Sequence, residues 1–90
     1  MAQTVITIRI MPDSPDVNLE AIEKKARSEI EKLNGYVGKV EIVPVAFGLN
    51  SINITFILDE SKGTEIVEER IKSIEDVQNA EVIDVRRAVG

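Results

Sequence analysis

The chain has 90 residues, 43% of them hydrophobic and 30% charged, which is enough for one core and predicts a single domain over residues 1–90. It contains no cysteine and no histidine, so disulfides, thiolate metal sites and imidazole catalysis are excluded. Its formal net charge of −5 argues against direct binding to nucleic acid and to anionic membranes.

The first predicted element is a β-strand close to the N-terminus. "TVITIRIM" alternates with period two, placing Ile6, Ile8 and Ile10 on one side and Thr7 and Arg9 on the other. This alternation of apolar and polar residues is unlike the apolar segment of a signal peptide. No apolar run in the chain approaches the length of a membrane span. We therefore expect a cytoplasmic protein.

A helix is predicted after the turn signal "PDSPD". Asn18 is a suitable N-cap, and Gly35 is a natural left-handed residue for the end of the helix. The residues at helical spacing that would face the core are Leu19, Ile22, Ala26, Ile30 and Leu33. The acidic residues that surround the start of this helix complement its dipole, and we interpret them as structural rather than as a metal site.

Two further strands follow, "KVEIV" and "SINITFIL", joined through "PVAFGL". Ile52, Ile54, Phe56 and Leu58 share one side of the second of these strands. A second helix with an inner stripe of apolar residues comes next, and "AEVIDVR" completes the set as strand four. For that strand we expect Ile83 and Val85, rather than Val82 and Asp84, to face the core.

The element order βαββαβ predicts a ferredoxin-like α+β sandwich, with two helices on one face of a four-stranded antiparallel sheet. In that topology strands one and three are central and strand two lies at an edge. Pro44 fits this assignment, because proline lacks the amide donor of a central strand. The outward positions of the two central strands carry no aromatic residue, which argues against RNA binding through the sheet.

Two features of the chain remain as candidates for function. Phe47 lies in the turn between strands two and three, and the residues alone favour a ring folded back onto the edge of the core. An exposed ring held by the rigid turn would instead be a typical interface anchor. Arg86 and Arg87 are either solubilising charge near the end of the chain or cations presented to a phosphate or carboxylate of a partner.

Three segments, "IRIMPDSPDVNLE", "VPVAFGLNSINI" and "GTEIVEERIKSIEDVQNAEVIDVRR", together resemble archaeal elongation factor 1-beta, the guanine-nucleotide exchange factor of the GTPase elongation factor 1-alpha. The resemblance implies a ferredoxin-like fold and binding to both the GDP-bound and the nucleotide-free GTPase. It implies no catalytic residues, no cofactor and no metal, so the protein would not be an enzyme.

The resemblance extends more weakly to the C-terminal exchange domain of the eukaryotic beta subunit. It implies that Pro44, Ala46, Phe47 and Gly48 form a GTPase-binding loop whose aromatic ring contacts the partner. Arg87, beside Arg86, matches a near-terminal lysine that projects toward the magnesium and phosphates of the nucleotide. The alternative function is a non-catalytic regulatory or oligomerisation domain of the same fold, which would bind a small ligand and would use its open sheet face or its strand edges.

Overall fold

A computed structural model, which describes residues 2–88, contains four strands and two helices. The elements are β1 (Gln3–Pro12), α1 (Leu19–Lys32), β2 (Tyr36–Pro44), β3 (Asn50–Asp59), α2 (Thr64–Lys72) and β4 (Val77–Ala88). The strands form one antiparallel sheet in the order β2-β3-β1-β4. This order confirms the ferredoxin-like fold, the central position of β1 and β3, and the edge position of β2. No helix within residues 2–88 is long and apolar enough to cross a membrane.

The core lies between one face of the sheet and the two helices. Every second residue is buried from Ile6 to Pro12 on β1 and from Ile52 to Leu58 on β3, as the period-two pattern predicted, and the buried residues of the helices join the same cluster. The buried side chains of the central strands are Ile6, Ile8, Ile10, Ile52, Ile54, Phe56 and Leu58, and those of the helices are Ile22, Ala26, Ile30, Val67 and Ile71. Each fully buried aliphatic side chain contributes about 1.5–3 kcal/mol to folding. Packing in this layer therefore holds the sheet, and with it the segments at its two ends, in place.

The two ends of α1 differ in how well the sequence predicted them. Asn18 is the N-cap, and its side-chain oxygen accepts a hydrogen bond from the N–H of Ala21 at 3.2 Å, as expected. The prediction of Gly35 as the left-handed residue is wrong, because Asn34 adopts that conformation with φ = 62°. Gly35 serves packing instead, since a Cβ there would lie 2.6 Å from Cγ2 of Ile30.

The predicted facing of strand four is wrong for Ile83, which is 45% exposed, whereas Val82 packs against the core. Val85 does lie opposite the buried Ile6, on the predicted side, but is still 52% exposed. Val82 lies opposite Ile8, and Asp84 lies opposite Thr7, the residue that precedes Ile8 in β1. Ile83 is therefore an extra residue in β4. A β-bulge of this kind breaks the period-two alternation that the prediction assumed.

Candidate functional site

The β2–β3 connection is a tight turn that points residues 44–49, the hairpin tip, away from the core. The N–H of Val45 donates to the carbonyl of Leu49 at 2.8 Å, and the N–H of Leu49 donates to the carbonyl of Ala46 at 3.0 Å. Phe47 and Gly48 occupy the two central positions with φ values of 57° and 77°. Two consecutive positive φ angles are the signature of a type I′ turn, which matches the twist of a hairpin.

Phe47 combines an unfavourable backbone with full exposure. The left-handed conformation costs an L-residue other than glycine or asparagine about 1–2 kcal/mol. Its side chain nonetheless keeps 96% of its surface exposed and gains no packing in return, in contrast to Phe56, which is 0% exposed. The alternative in which the ring folds back onto the core is therefore excluded. Nothing in the fold requires an aromatic residue at this position, and strain of this kind is typical of functional sites.

More apolar surface surrounds the hairpin tip than the sequence predicted. Ile42, Val43 and Val45 are all exposed, and Pro44 is exposed beside them at the end of β2. Ile42 lies opposite the buried Ile52, yet it is exposed on the edge strand near the end of the sheet. Sequence reasoning overlooked these residues because their β-branched pattern also suits an ordinary buried strand.

The loop between β1 and α1 lies next to the hairpin tip. A Cβ placed on Gly48 would be 4.0 Å from Cβ of Pro15. Asp13 and Asp16 flank Pro15 and are exposed, and residues 10–23 and 40–61 contain no lysine or arginine. Within residues 2–88 no group of three acidic side chains is arranged to hold a metal ion. The tip is therefore an apolar projection in an anionic setting, suited to binding another protein surface rather than to acid–base chemistry.

The two arginines near the end of β4 are exposed and paired with acids of the same chain. Nε and Nη2 of Arg87 donate to Oε2 of Glu60 at 3.1 and 2.8 Å. Nε of Arg86 donates to Oδ2 of Asp84 at 3.0 Å. Exposed ion pairs of this type are worth at most about 1 kcal/mol, so a partner that supplies a phosphate or a carboxylate can replace them.

The loop that carries Glu60 is shaped by Asp59, the last residue of β3. Its Oδ1 accepts a hydrogen bond from the N–H of Ser61 at 2.8 Å, and its carbonyl accepts one from the N–H of Lys62 at 3.0 Å. The backbone hydrogen bond from Ser61 is the main cause that lowers the pKa of Asp59. This turn holds Glu60 where it meets Arg87.

The structure places the hairpin tip and the arginines at opposite ends of the sheet. Arg87 lies opposite Thr4, which lies opposite Leu58 on β3. Ten residues separate Leu58 from Gly48, and at about 3.3 Å per strand residue this is roughly 30 Å. The two candidate regions therefore do not form one pocket.

The open face of the sheet, which the alternative function would use, has its polar groups paired with one another. Arg9 forms an ion pair with Glu81. The hydroxyls of Thr7 and Thr55 are hydrogen-bonded to each other at 3.1 Å. Oδ1 of Asn53 accepts a hydrogen bond from Oγ of Ser51 at 3.4 Å. These polar groups of the open face therefore already have partners within the chain.

The fold and the exposed loop define a small α+β domain that acts by binding another protein. The sequence profile of the EF-1 guanine nucleotide exchange domain matches residues 5–88. Elongation factor 1-beta of Methanothermobacter thermautotrophicus is 42% identical, with 97% of this chain and 98% of the relative covered. Elongation factor 1-beta of Methanobrevibacter smithii is 41% identical with the same coverage. The chain belongs to the EF-1 guanine nucleotide exchange domain family, and its function is that of a guanine-nucleotide exchange factor for elongation factor 1-alpha.

Solved structures of low sequence identity show the same fold. The ACT domain from GTP pyrophosphokinase of Chlorobium tepidum superposes with a TM-score of 0.65 at 14% identity, covering 90% of this chain and 99% of that domain. The C-terminal domain of the MgtC protein from Mycobacterium tuberculosis gives a TM-score of 0.68 at 6% identity, with 97% and 88% covered. At these identities the likeness concerns the fold alone.

Proposed function

We propose that the chain promotes GDP release and GTP loading on elongation factor 1-alpha by contacting the GTPase at two separate places, the hairpin tip and the arginine end of β4. The single observation that carries the proposal is the exposed ring of Phe47 on a strained type I′ turn. Pro44, Ala46 and Gly48 shape this turn and would lie in the same interface. A rigid exposed aromatic residue that inserts into an apolar pocket is a typical binding anchor.

Exchange of this kind needs differential binding and no covalent step. The factor has to bind the nucleotide-free GTPase more tightly than the GDP-bound form, and by linkage it then weakens the affinity of the GTPase for GDP by the same factor. A chain without histidine or cysteine can do this as well as any other. The protein would therefore not be an enzyme in the usual sense and would act in the cytoplasm without a cofactor.

Arg87 and Arg86 would supply the electrostatic part of the effect. A cation brought close to the magnesium and phosphates of the nucleotide competes for the groups that hold them. A guanidinium is a planar fork with five donors, whereas the ammonium of the related lysine is a compact point charge. In the free chain two of these donors, Nε and Nη2 of Arg87, are directed at one oxygen of Glu60, and a phosphate oxygen of the nucleotide would take the place of that oxygen.

A distance of roughly 30 Å between the two contacts, taken from the strand rise, requires a partner that is large compared with this chain. The longest dimension of the described residues is 41 Å. A GTPase with more than one domain could receive the hairpin tip on one surface and the arginines on another. The tip would provide affinity, and the arginines would act on the nucleotide.

The test is the release of a fluorescent GDP analogue from the cognate elongation factor 1-alpha. Catalytic amounts of the wild-type chain should accelerate GDP release. The Phe47→Ala variant should keep its fold and should accelerate release less. Lys24→Ala is the control, since it also truncates an exposed side chain but lies on α1, outside the hairpin tip and the arginine end. Unchanged release with the wild-type chain at micromolar concentration would contradict the proposed function.

A further inference from the structure

The β4 bulge has a direct effect on the direction of the two arginines. Before the bulge, Val82 faces the helix side opposite Ile8. In a regular strand every second residue would share that side, which would include Arg86. Because Ile83 is an extra residue, the alternation changes by one position, and Arg87 rather than Arg86 faces the helix side.

The positions of the arginines agree with this change of alternation. Arg86 lies opposite Val5, whose side is the open face, and it pairs there with Asp84. Arg87 lies opposite Thr4 and reaches Glu60 in the loop that leads to α2. The bulge therefore determines which arginine meets which surface.

One side chain from the helical layer contacts the bulge. Oε2 of Glu68 on α2 accepts a hydrogen bond from the N–H of Val82 at 2.7 Å, and this contact is partly buried. Hydrogen bonds to a carboxylate are about twice as strong as those between neutral groups. A bulge disrupts the ladder locally and leaves backbone groups to be satisfied in another way. Glu68 satisfies the N–H of Val82, the residue that precedes the extra residue of this edge strand, and ties β4 to α2 at that point.

We propose that Glu68 is a positioning residue for nucleotide exchange, which holds the β4 bulge in one arrangement and so fixes the directions of Arg86 and Arg87. The inference rests on the proposed function, because it takes the arginines to be contacts for the GTPase. Glu68 itself lies on α2 and would act through the strand. Without its carboxylate the bulge loosens, and the two guanidinium groups are no longer held on opposite sides of the sheet.

The first measurement uses the chain by itself. Amide hydrogen exchange and cross-strand nuclear Overhauser effects should report the bulge at Val82 and the pairing of Val5 with Arg86. In Glu68→Ala the amide of Val82 should exchange faster and that pairing should weaken, whereas Glu68→Gln, which keeps an acceptor oxygen, should resemble the wild type. An unaltered amide of Val82 in Glu68→Ala would overturn the proposal without any GTPase being present.

The second measurement is the release of fluorescent GDP from elongation factor 1-alpha. Glu68→Ala should lower the exchange rate by roughly fivefold, within the range that misplacement of a contact group causes. Glu69→Ala is the matched control, because it removes the same charge from an exposed position on the same helix. If wild-type chain accelerates release and the two variants are equal, the positioning role fails while the proposed function stands.

A deletion separates positioning from a loss of stability. Removing Ile83 from the chain restores a regular strand in which Arg86 and Arg87 keep their present sides, so Glu68 is no longer needed for their direction. In that background Glu68→Ala should change the exchange rate by less than twofold. A loss in the deletion background as large as in the wild-type background would overturn the proposal, as would a full loss in Glu68→Gln.

Discussion

The hairpin tip and the arginine end of β4 present functional side chains in opposite ways. Phe47 is fully exposed, has a strained backbone and is not held by other side chains. Arg87 is paired with Glu60, and the strand that carries it is fixed by a bulge and by Glu68. An apolar anchor needs only a rigid turn that holds it in position. A charged group has to be oriented toward its partner and also needs an ion pair within the chain until the partner binds.

The largest expected effect is at Phe47, where stability and exchange should change in opposite directions. Phe47→Asn puts asparagine before Gly48, the preferred pair for a type I′ turn, so the free energy of unfolding should rise by about 1 kcal/mol. The exchange reaction should lose about 2 kcal/mol of transition-state stabilisation, which corresponds to a rate about thirtyfold lower. Thermal unfolding and fluorescent GDP release measure the two quantities. A variant that is less stable and equally active would contradict the account of the tip.

Arg87 should come next in size. Arg87→Ala removes a charged hydrogen-bonding group, which is worth about 1.5 kcal/mol or about tenfold in exchange rate. Arg87→Lys should keep most of the activity because the charge remains, and the effect of Arg87→Ala should shrink at high salt. The rates of GDP release at two salt concentrations provide the check. An equal loss in Arg87→Lys and Arg87→Ala would mean that the shape of the guanidinium, and not its charge, is what matters.

The pair between Arg87 and Glu60 should have a smaller effect. Glu60→Gln removes the competitor for the guanidinium and should raise the exchange rate by less than about fivefold, since exposed pairs are worth at most about 1 kcal/mol. Glu31→Gln, the same change at an exposed position of α1, serves as the control for net charge. A lower rate in Glu60→Gln would indicate that Glu60 orients Arg87 for the partner instead of competing with it.

The smallest expected quantity is the coupling between the two regions. Sites separated by more than about 10 Å usually contribute additively, within about 0.5 kcal/mol, and the tip and Arg87 are farther apart than this. The double variant Phe47→Ala with Arg87→Ala should therefore show the sum of the two single losses in GDP release. A coupling free energy above about 1 kcal/mol would exceed the value that distant, independent residues show. It would mean that the two regions act as one site.

The sheet could be predicted from the sequence because its information is local and regular. Ile6, Ile8 and Ile10 alternate strictly, and Pro44 marks an edge strand, so the element order and the central strands follow from spacing alone. The position of Phe47 in the turn drew attention to it, and the residues alone favoured a packed ring, whereas the family resemblance favoured an exposed one. Its exposure depends on the turn geometry, since two positive φ angles direct the ring away from the core.

The bulge in β4 could not be predicted, because it carries no glycine or proline that would mark it. Regular alternation in "EVIDV" favours Ile83 and Val85 on the core side, whereas the observed strand has an extra residue at Ile83 and a contact from a distant part of the chain, the carboxylate of Glu68, beside it. The same is true of Asn34, whose left-handed backbone goes with the hydrogen bond from the N–H of Gly35 to the carbonyl of Ile30 at the end of α1, while Gly35 itself packs closely on Ile30. These positions depend on tertiary packing, which a single sequence does not record.

The central claim is that the GTPase contacts the two ends of the sheet and not the middle of its open face. Amide chemical shifts of the isotope-labelled chain, recorded with and without nucleotide-free elongation factor 1-alpha, test it directly. We expect large changes at residues 45–49 and at Arg86 and Arg87, with little change at Thr7, Arg9 and Asn53 in the middle of the sheet. Changes concentrated on those three residues, with the hairpin tip unaffected, would contradict it.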